Sequence, residues 1–521
     1  MNDFDPSADR LPPGRDAQDD DRDAGSASRW TTLARHLPVL LLSGLFLYFV
    51  SARAARLPLW FDEIVTYYVS VLDSPGAVVS ALLAKMDNHP PLDYLLRHAS
   101  MALLGQSELA FRLPSMAGIL GGAWCLYLFA IRRTSTAAAL VAFSFPFVTT
   151  ALGAAYEGRG YALLMAFMCL SLVAWQRAAE KPTLFRLLLL TIALSAGPFS
   201  HFYGVLNYIP IAAGEAWRSW ERRQISWPIV ICFVLSLASL SLLVPFALNA
   251  SAFATGFWTK VTLGAITRGY IEMLESAVPA FVVCLLVFAA MTVFRRRSEG
   301  PVPAVPSYEI MAAAMLCVLP VTTYLLAKFV THAYTTKYLL NTTCGLALLA
   351  AYAVHYISRW RQVASALMAL TFALWAGASI ARLQPWPFEG PRNIERVTNL
   401  ISSTGLPVVV ASNHQFLKTY FYLSEAARKQ LFIIVDDRLA LHFGGNGSDY
   451  RTFRNLKPFV PINAADLCSF TKDHGEFLIL FYDSAWIIDH LIRDEATVVI
   501  LDPNFFEAQL LRVTTKKASG C

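Results

Sequence analysis

The sequence predicts a polytopic α-helical membrane protein with about eleven transmembrane helices, followed by a C-terminal α/β domain. Hydrophobic residues make up 56% of the 521-residue chain and charged residues only 15%. The mean hydropathy is +0.46, which is too apolar for an ordinary soluble fold. Long apolar runs alternate with short clusters of Lys and Arg up to Leu383, and only short apolar segments follow. The net charge of +6 therefore reflects membrane topology and indicates no nucleic-acid partner.

The N-terminal residues 1–34 are rich in Asp, contain several Pro and Gly, and lack an apolar period. Such a composition cannot bury a core, so we expect a disordered cytoplasmic tail. It is not a signal peptide, because the n-region of one would be basic. The apolar run from Leu37 to Val50 predicts the first spanning helix, an uncleaved anchor that begins a membrane module over residues 35–383.

Ten further apolar runs follow the first. They lie at residues 114–130, 136–155, 161–178, 187–200, 202–217, 228–248, 278–294, 308–328, 336–357 and 363–381. The two runs between Arg186 and Arg218 are short for two crossings at about 20 residues each, so the count is ten or eleven. The charges favour eleven, because the basic clusters between the later runs then share one side, the cytoplasm. The chain is therefore expected to be a multi-pass membrane protein.

This topology places the N-terminus in the cytoplasm, and the loop 53–114 and the domain 384–521 on the outer side of the membrane. The loop carries two predicted amphipathic helices. Val78, Leu82 and Met86 share one apolar face, and after the Pro90-Pro91 break a second segment separates apolar from polar faces. Leu92, Leu95, Leu96, Ala99 and Leu103 form its apolar face, and Asp93, Arg97 and Ser100 its polar face. We expect a platform half-immersed in the membrane.

The same loop begins with two adjacent acids, Asp62 and Glu63, at the membrane surface. An acid there is costly unless another group pairs with it or the reaction uses it. We therefore predict both as catalytic residues, with Asp62 as the base. The alternative is a helix cap, since Asp and Glu near a helix start interact favourably with its exposed amides and its dipole.

Several motifs resemble the GT-C integral-membrane glycosyltransferases. These motifs are the acid pair, residues 89–94 (HPPLDY) and residues 108–115 (ELAFRLPS). The resemblance extends over residues 35–380 and includes the protein O-mannosyltransferase-like, lipid A aminoarabinose transferase-like and RgtA/B/C/D-like groups. Three later segments also fit, and the predicted topology puts them on the side of Asp62. They are residues 156–161 (YEGRGY), 200–203 (SHFY) and 336–340 (TKYLL).

The sequence departs from the family pattern at three positions. Lys337 stands where the family often has Arg, and Asn341 where a Pro is common. His89 stands where the aminoarabinose transferases have Lys. The first two departures leave a cation in place.

The resemblance implies a location in the bacterial inner (plasma) membrane, with the loop 53–114 and the domain 384–521 in the periplasm. It also implies a polyprenyl-phosphate-linked sugar as donor and a periplasmic lipid, glycan or protein as acceptor, with membrane lipids around the bundle. Asp62 would act as base in an inverting displacement, and cations would stabilise the leaving phosphate. The expected donor phosphate-binding residues are His89, Arg159, Lys337 and Tyr338. The expected substrate-binding residues are Tyr67, Tyr161, His201 and Tyr203. No cofactor or metal cluster is indicated, and a divalent cation stays open.

Each of these residue types also has an ordinary structural explanation. Arg and Lys at helix ends snorkel to the headgroups, and Tyr belongs to interfacial belts. A lone His such as His201 is more often a satisfied core or interface residue. Two other functional classes remain: a transporter or flippase, and a non-catalytic envelope-assembly subunit.

The C-terminal segment 384–521 predicts an α/β domain with a largely parallel core. Its expected strands are 406–411, 431–435, 477–481 and 498–501. Gly444 to Gly447 is glycine-rich but lacks the strand-to-helix context of a phosphate loop. Of the eight cysteines, only Cys468 and Cys521 would meet an oxidising compartment. Acceptor recognition and a scaffold role are both open for this domain.

Overall fold

The computed structural model describes most of the chain, with side chains from His36 onward. The described ranges are residues 17–251, 261–293, 303–358, 362–383, 390–436, 448–482, 485–505 and 508–515. Residues 1–16, the segment 384–389 of the predicted linker, the glycine-rich loop 444–447 and Cys521 lie outside them.

Helices dominate the chain up to Ala381. They are α1 (Ala17–Ala54), α2 (Phe61–Ser70), α3 (Pro75–Leu83), α4 (Pro91–Leu104), α5 (Glu108–Ile131), α6 (Thr136–Ser144), α7 (Ala151–Ala154), α8 (Tyr161–Glu180), α9 (Leu184–Ser200), α10 (Tyr208–Arg222), α11 (Trp227–Ser239), α12 (Val244–Ser251), α13 (Gly264–Leu274), α14 (Val278–Val293), α15 (Ser307–Cys317), α16 (Leu319–Leu326), α17 (Leu340–Ser358) and α18 (Gln362–Ala381).

Within the described ranges, seven helices are long and apolar enough to cross a membrane, and α15 with α16 makes an eighth if that bent pair is one span. The pair bends by 47° next to Pro320, whose ring nitrogen has no N–H to donate to the helix. Two shorter apolar helices, Thr136–Val148 and Leu184–Ser200, occupy predicted spans, and α10 occupies another. The polytopic helical class is confirmed, and the count of eleven stays a prediction.

The first helix begins at Ala17, well before the predicted membrane entry. The expectation of a disordered tail over residues 1–34 therefore differs from the structure for residues 17–34. The reason lies in the sequence from Ala17 to Leu37, which contains no Pro to interrupt a helix.

Helix α4 presents to the bundle the face that the sequence pattern marks as polar. Arg97 is fully buried, makes a bidentate pair with Asp93 (2.7 and 3.0 Å), and donates to Ser115 Oγ of α5. On the predicted apolar face, Leu103 is exposed. The polar residues are satisfied against α5, and the apolar face remains available to lipid, as a half-immersed helix requires.

The C-terminal domain is an α/β unit with a six-stranded sheet. Its helices are α19 (Gly390–Thr404), α20 (Asn413–Tyr422), α21 (Glu425–Arg428), α22 (Ser448–Leu456), α23 (Leu467–Asp473) and α24 (Ala485–Arg493). Its strands are β1 (Val408–Val410), β2 (Leu431–Ile434), β3 (Ala464–Ala465), β4 (Glu476–Phe481), β5 (Thr497–Phe505) and β6 (Ala508–Thr514).

The strand order is β3-β2-β1-β4-β6-β5. The four strands β3, β2, β1 and β4 pair in parallel, whereas β6 pairs antiparallel with both β4 and β5. The predicted parallel core and all four predicted strands are confirmed. The short strand β3 and the strand β6 were not predicted.

One continuous apolar core joins the loop helices to the C-terminal domain. Leu59, Phe61 and Ile64 of the loop belong to the same buried cluster as Phe416 and Phe453 of the domain. Helix α20 packs on α2, the helix that carries the acid pair. The domain therefore packs directly on the loop helices, and burial of this shared apolar surface stabilises the contact.

Candidate active site

The two adjacent acids of α2 have different environments. Glu63 is fully buried and makes a bidentate pair with Arg112, whose Nε and Nη2 atoms lie 2.7 and 2.6 Å from its oxygens. Its oxygens also accept from the backbone N–H groups of Gly158 (2.5 Å) and Trp60 (3.3 Å). All of this capacity is used to join α2, α5 and the loop before α8.

The Asp62 carboxylate, in contrast, has no hydrogen-bond or ion-pair partner in the part of the chain that the structure describes. Asp62 is only partly buried and lies close enough to Arg159, Tyr161 and Tyr338 to interact electrostatically with each. A carboxylate with unused acceptor capacity beside a cation and two phenols can accept a proton or a ligand hydrogen bond.

Arg159 is held in place by two glycines of its own loop. A Cβ on Gly158 would lie 2.0 Å from the Phe111 ring, and a Cβ on Gly160 would lie 2.5 Å from the Ser200 carbonyl oxygen. Any other residue at either position would push the loop away. The glycines therefore let the Arg159 backbone pass between α5 and the end of α9.

The Arg159 side chain is buried and shared between groups of α2 and of the loop that joins α3 to α4. Its Nη1 atom donates to Thr66 Oγ1 (2.6 Å), Asp87 Oδ2 (3.1 Å) and the Asp62 carbonyl oxygen (3.2 Å). Its Nη2 atom lies 3.2 Å from the His89 ring nitrogens. Arg159 therefore positions the helix that carries Asp62 and contributes positive charge behind the site.

Asp87 is the acid that balances Arg159. Burial alone would raise the pKa of this carboxyl, but the Arg159 guanidinium, His89 and the Tyr94 hydroxyl together outweigh burial and hold the pKa well below its usual range. Tyr94 donates a further hydrogen bond to Asp87 (2.6 Å). Asp87 stays ionised at neutral pH, and Arg159 and Asp87 form a buried neutral pair.

Lys337 is the more accessible of the two predicted cations. Its side chain is 43% exposed, and its Nζ atom lies 2.6 Å from Glu157 Oε1 and 4.6 Å from the centre of the Trp60 ring. Burial raises the pKa of the Glu157 carboxyl, and Lys337 only partly offsets this.

Lys337, Glu157, Trp60 and Tyr161 line a cavity of about 360 Å³. Aromatic rings beside a cation and a carboxylate provide stacking surfaces together with hydrogen-bond donors and acceptors. This combination suits a polar ligand such as a sugar phosphate.

An aromatic cluster surrounds His201 and includes Tyr161, one of the residues that line the cavity. The His201 ring lies 5.0 Å from Tyr338, 5.3 Å from Tyr161 and 5.4 Å from His89, centre to centre. His201 Nδ1 accepts from the Tyr203 N–H (3.3 Å), so the Nε2 atom carries the proton of the neutral ring. Burial, reinforced by His89 and Arg159, lowers the pKa of His201.

Two of these groups have unused hydrogen-bonding capacity. His201 Nε2 is buried without a partner, and the structure describes no partner for the Tyr338 hydroxyl. Tyr203 differs, because its hydroxyl contacts Thr331 Oγ1 (2.5 Å) and the Ala333 carbonyl oxygen. Tyr203 therefore anchors the segment before Lys337 while its ring stacks on Tyr338 at 4.4 Å.

Tyr67 is the predicted site residue that the structure does not bring to this cluster. Its ring packs at 5.5 Å from Phe111 and 5.2 Å from Phe421, on the side of the C-terminal domain. Five residues of α-helix rotate a side chain by about 140° from Asp62. Thr66, at a spacing of four, shares the face of Asp62 and contacts Arg159 instead.

The sequence interpretation did not assign Asp87, Tyr94, Thr66, Trp60, Glu157 or Arg112 to the site. Tyr94, Arg112 and Glu157 stand inside the recognised motifs, in residues 89–94, 108–115 and 156–161. Membership of a motif was therefore the available indication for these three residues. No cluster of three or more His, Cys, Asp or Glu side chains suited to a metal occurs among the described residues.

Comparison with known proteins gives one family match and similar solved structures. The family model described as dolichyl-phosphate-mannose-protein mannosyltransferase matches residues 88–248. A search of the curated proteins finds no match. The structure of ArnT from Cupriavidus metallidurans in the apo state is 13% identical, with a TM-score of 0.56, covering 94% of this chain and 98% of that one.

ArnT bound to undecaprenyl phosphate has the same identity and TM-score, with 95% and 100% of the two chains covered. This chain has the GT-C glycosyltransferase fold. The likeness spans nearly the full length of both chains, so it extends beyond the membrane module. The GT-C fold, predicted from short motifs, is thereby confirmed, and the chain is a multi-pass membrane protein.

Proposed function

We propose that this GT-C chain is an inner-membrane glycosyltransferase that moves a sugar from a polyprenyl phosphate carrier to a periplasmic acceptor. The observation that carries the proposal is the Asp62 carboxylate, which has no partner among the described residues and lies near a buried cation and Tyr161. Tyr161 lines the same cavity as Lys337. The match of residues 88–248 to a mannosyltransferase family supports sugar transfer. The undecaprenyl phosphate bound to the structurally similar ArnT supports a polyprenyl phosphate carrier.

Three groups would bind the phosphate of the donor. The Lys337 ammonium supplies an accessible positive charge, and the Nε2–H of His201 and the hydroxyl of Tyr338 supply hydrogen bonds. Arg159 lies close enough to Tyr161 to interact with it electrostatically, and it contributes positive charge on that side of the pocket. The leaving group is already an anion, so the reaction needs these stabilising groups and no general acid.

Asp62 then acts as the general base. It takes the proton from the acceptor hydroxyl as that oxygen forms the new bond to the anomeric carbon. The bond from this carbon to the phosphate oxygen breaks on the opposite face, so the configuration inverts. Glu63 holds the base in place through Arg112.

We also propose an orientation for the chain in the membrane. Cys468 is disulfide-bonded, and disulfides persist in oxidising compartments such as the bacterial periplasm. Because α20 of that domain packs on α2, the domain and Asp62 lie on one side of the membrane. The acceptor, whether lipid, glycan or protein, would therefore be periplasmic, and the N-terminus cytoplasmic.

Mass spectrometry of a host strain lacking the protein tests this function. We expect one sugar to be missing from a cell-envelope glycan, lipid or protein, and the corresponding polyprenyl-phosphate sugar to accumulate in the periplasmic leaflet. Accumulation in the cytoplasmic leaflet would instead indicate a flippase. Unchanged glycans and unchanged lipid-linked pools would contradict the proposal.

A further inference from the structure

We propose that the C-terminal domain positions the catalytic base, through a hydrogen bond from the Leu59 N–H to the Tyr422 hydroxyl. The inference rests on the proposed function of Asp62. It assigns to the domain a role within the transfer reaction, in addition to any part in acceptor recognition.

The segment between α1 and α2 is irregular, and side chains bind its backbone groups. Arg112 donates to the carbonyl oxygens of Ala54 (2.8 Å), Leu57 (2.5 Å) and Pro58 (3.2 Å). Irregular buried backbone needs such partners, because an unpaired buried polar group is costly. The carbonyl side of this segment is therefore fixed by the membrane module.

The N–H side of the same segment is fixed from two directions. The Trp60 N–H donates to Glu63 Oε2 (3.3 Å). The N–H of Leu59, a fully buried residue, donates to the hydroxyl of Tyr422 (2.8 Å) on α20. Tyr422 in turn donates to Glu108 Oε1 (3.3 Å), which orients its hydroxyl to accept from Leu59.

Aromatic contacts extend this attachment along α2. The His414 ring lies 4.7 Å from Phe61, the residue before Asp62. Phe421 lies 5.2 Å from Tyr67 and 5.7 Å from Tyr68. The domain thus contacts α2 on both sides of Asp62 in sequence, and Asp62 follows the Tyr422-bound residue by three positions.

This attachment should affect the position of Asp62 more than the affinity for the donor. The hydrogen bonds described for Tyr422 go to Leu59 and Glu108, whereas Lys337, His201 and Tyr338 belong to other segments of the chain. A displacement of a reacting group by about 1 Å can cost 10²-fold in rate. Loss of the Tyr422 hydrogen bond should therefore slow transfer while binding of the carrier phosphate persists.

The test compares Tyr422→Phe with Tyr420→Phe in the full-length protein. Tyr420 is on the same helix and donates to the Pro461 carbonyl oxygen (2.5 Å) inside the domain, so its loss removes a similar hydrogen bond without touching α2. Transfer is measured as the initial rate of product formation in membrane vesicles with endogenous donor and acceptor, and carrier binding as the affinity for undecaprenyl phosphate.

We expect Tyr422→Phe to transfer about tenfold more slowly than Tyr420→Phe at equal thermal stability, with undecaprenyl phosphate affinity within about twofold of wild type. Equal rates in the two variants, or parallel losses of rate and affinity, would overturn the positioning role. Inactive wild-type vesicles would count against the proposed function itself. If Tyr422→Phe fails to fold, Phe421→Leu is measured by the same split between rate and affinity.

Discussion

The two ends of the helix bundle each bury a cluster of charged side chains, but only one resembles an active site. At the Asp62 end, a carboxylate, an imidazole N–H and a phenol lack described partners. At the far end, where α5 and α8 finish, Glu309 accepts from Arg133 (2.9 Å) and Gln176 (3.0 Å). Glu180 there pairs with both Arg132 and Arg133.

The far end also has the larger cavity, about 700 Å³, lined by Arg132, Arg133 and His355. Cavity size and buried charge therefore do not separate the two ends. What differs is the acid, because the Asp62 carboxylate has no described partner, whereas both acids at the far end are paired. Neutral groups without a described partner, such as Gln176 Oε1, occur at the far end as well. A paired acid supports helix packing, whereas a carboxylate without a described partner can accept a proton or a hydrogen bond from a ligand.

Replacing the base should give the largest effect. Asp62→Asn is expected to reduce transfer at least 10³-fold, because the amide cannot accept the acceptor's proton. Its thermal unfolding midpoint should stay nearly unchanged, since the carboxylate has no described hydrogen-bond or ion-pair partner. The matched variant Glu309→Gln at the far end should retain transfer. Normal turnover of Asp62→Asn in the vesicle assay would remove the catalytic assignment.

Removing the accessible cation should come next. Lys337→Met is expected to weaken undecaprenyl phosphate binding by about 10- to 100-fold, the typical value of a charged hydrogen bond. Lys337→Arg should preserve most of the affinity. Arg132→Met, at the rim of the larger cavity, provides the control and should bind as wild type does. Equal weakening in both Met variants would show that the effect is a general change of membrane charge.

Breaking the buried ion pair of Glu63 should destabilise the protein about as much as breaking the ion pair of Glu309 at the far end. Glu63→Gln is expected to cost about 3 kcal/mol, because it leaves the Arg112 guanidinium buried without its counter-ion. Glu309→Gln should cost a similar amount, measured by thermal unfolding in detergent. Only Glu63→Gln should also slow transfer. A Glu63 variant with full stability and no activity would instead favour direct catalysis by Glu63.

The smallest expected effect is a pH dependence at Asp87. Because Arg159 lowers the folded-state pKa of Asp87 below its ordinary value of 3.8, the carboxylate stabilises the fold fully above that value. This stability is lost as the pH falls toward the folded-state pKa. The unfolding midpoints of wild type and Asp87→Asn should differ by a constant amount from pH 5 to 8 and converge below pH 4. A gap that widens in acid would exclude this pair as the cause.

Apolar periodicity indicated where the helices are, but it did not indicate which face of a helix packs against the bundle. The polar face of α4 points inward, where Arg97, Asp93 and Ser115 satisfy one another. In a membrane, lipid and protein core are equally apolar, so an apolar stripe alone does not distinguish inside from outside. The prediction for Tyr67 met the same limit. The sequence placed Tyr67 close to Asp62, but its side chain points to the side of α2 that α20 occupies, where it packs on Phe421.

The amino-acid sequence by itself determined the membrane module, the α/β character of the C-terminal domain, and the segments that carry Asp62, Arg159, His201 and Lys337. These features depend on local composition and on motif order. Tertiary structure alone decided that Glu63 is paired while Asp62 is not, and that a domain more than 300 residues away contacts the acid helix through Tyr422. The reason is that hydrogen-bond partners and shared apolar surface come from segments distant in sequence, and only the packed chain brings them together.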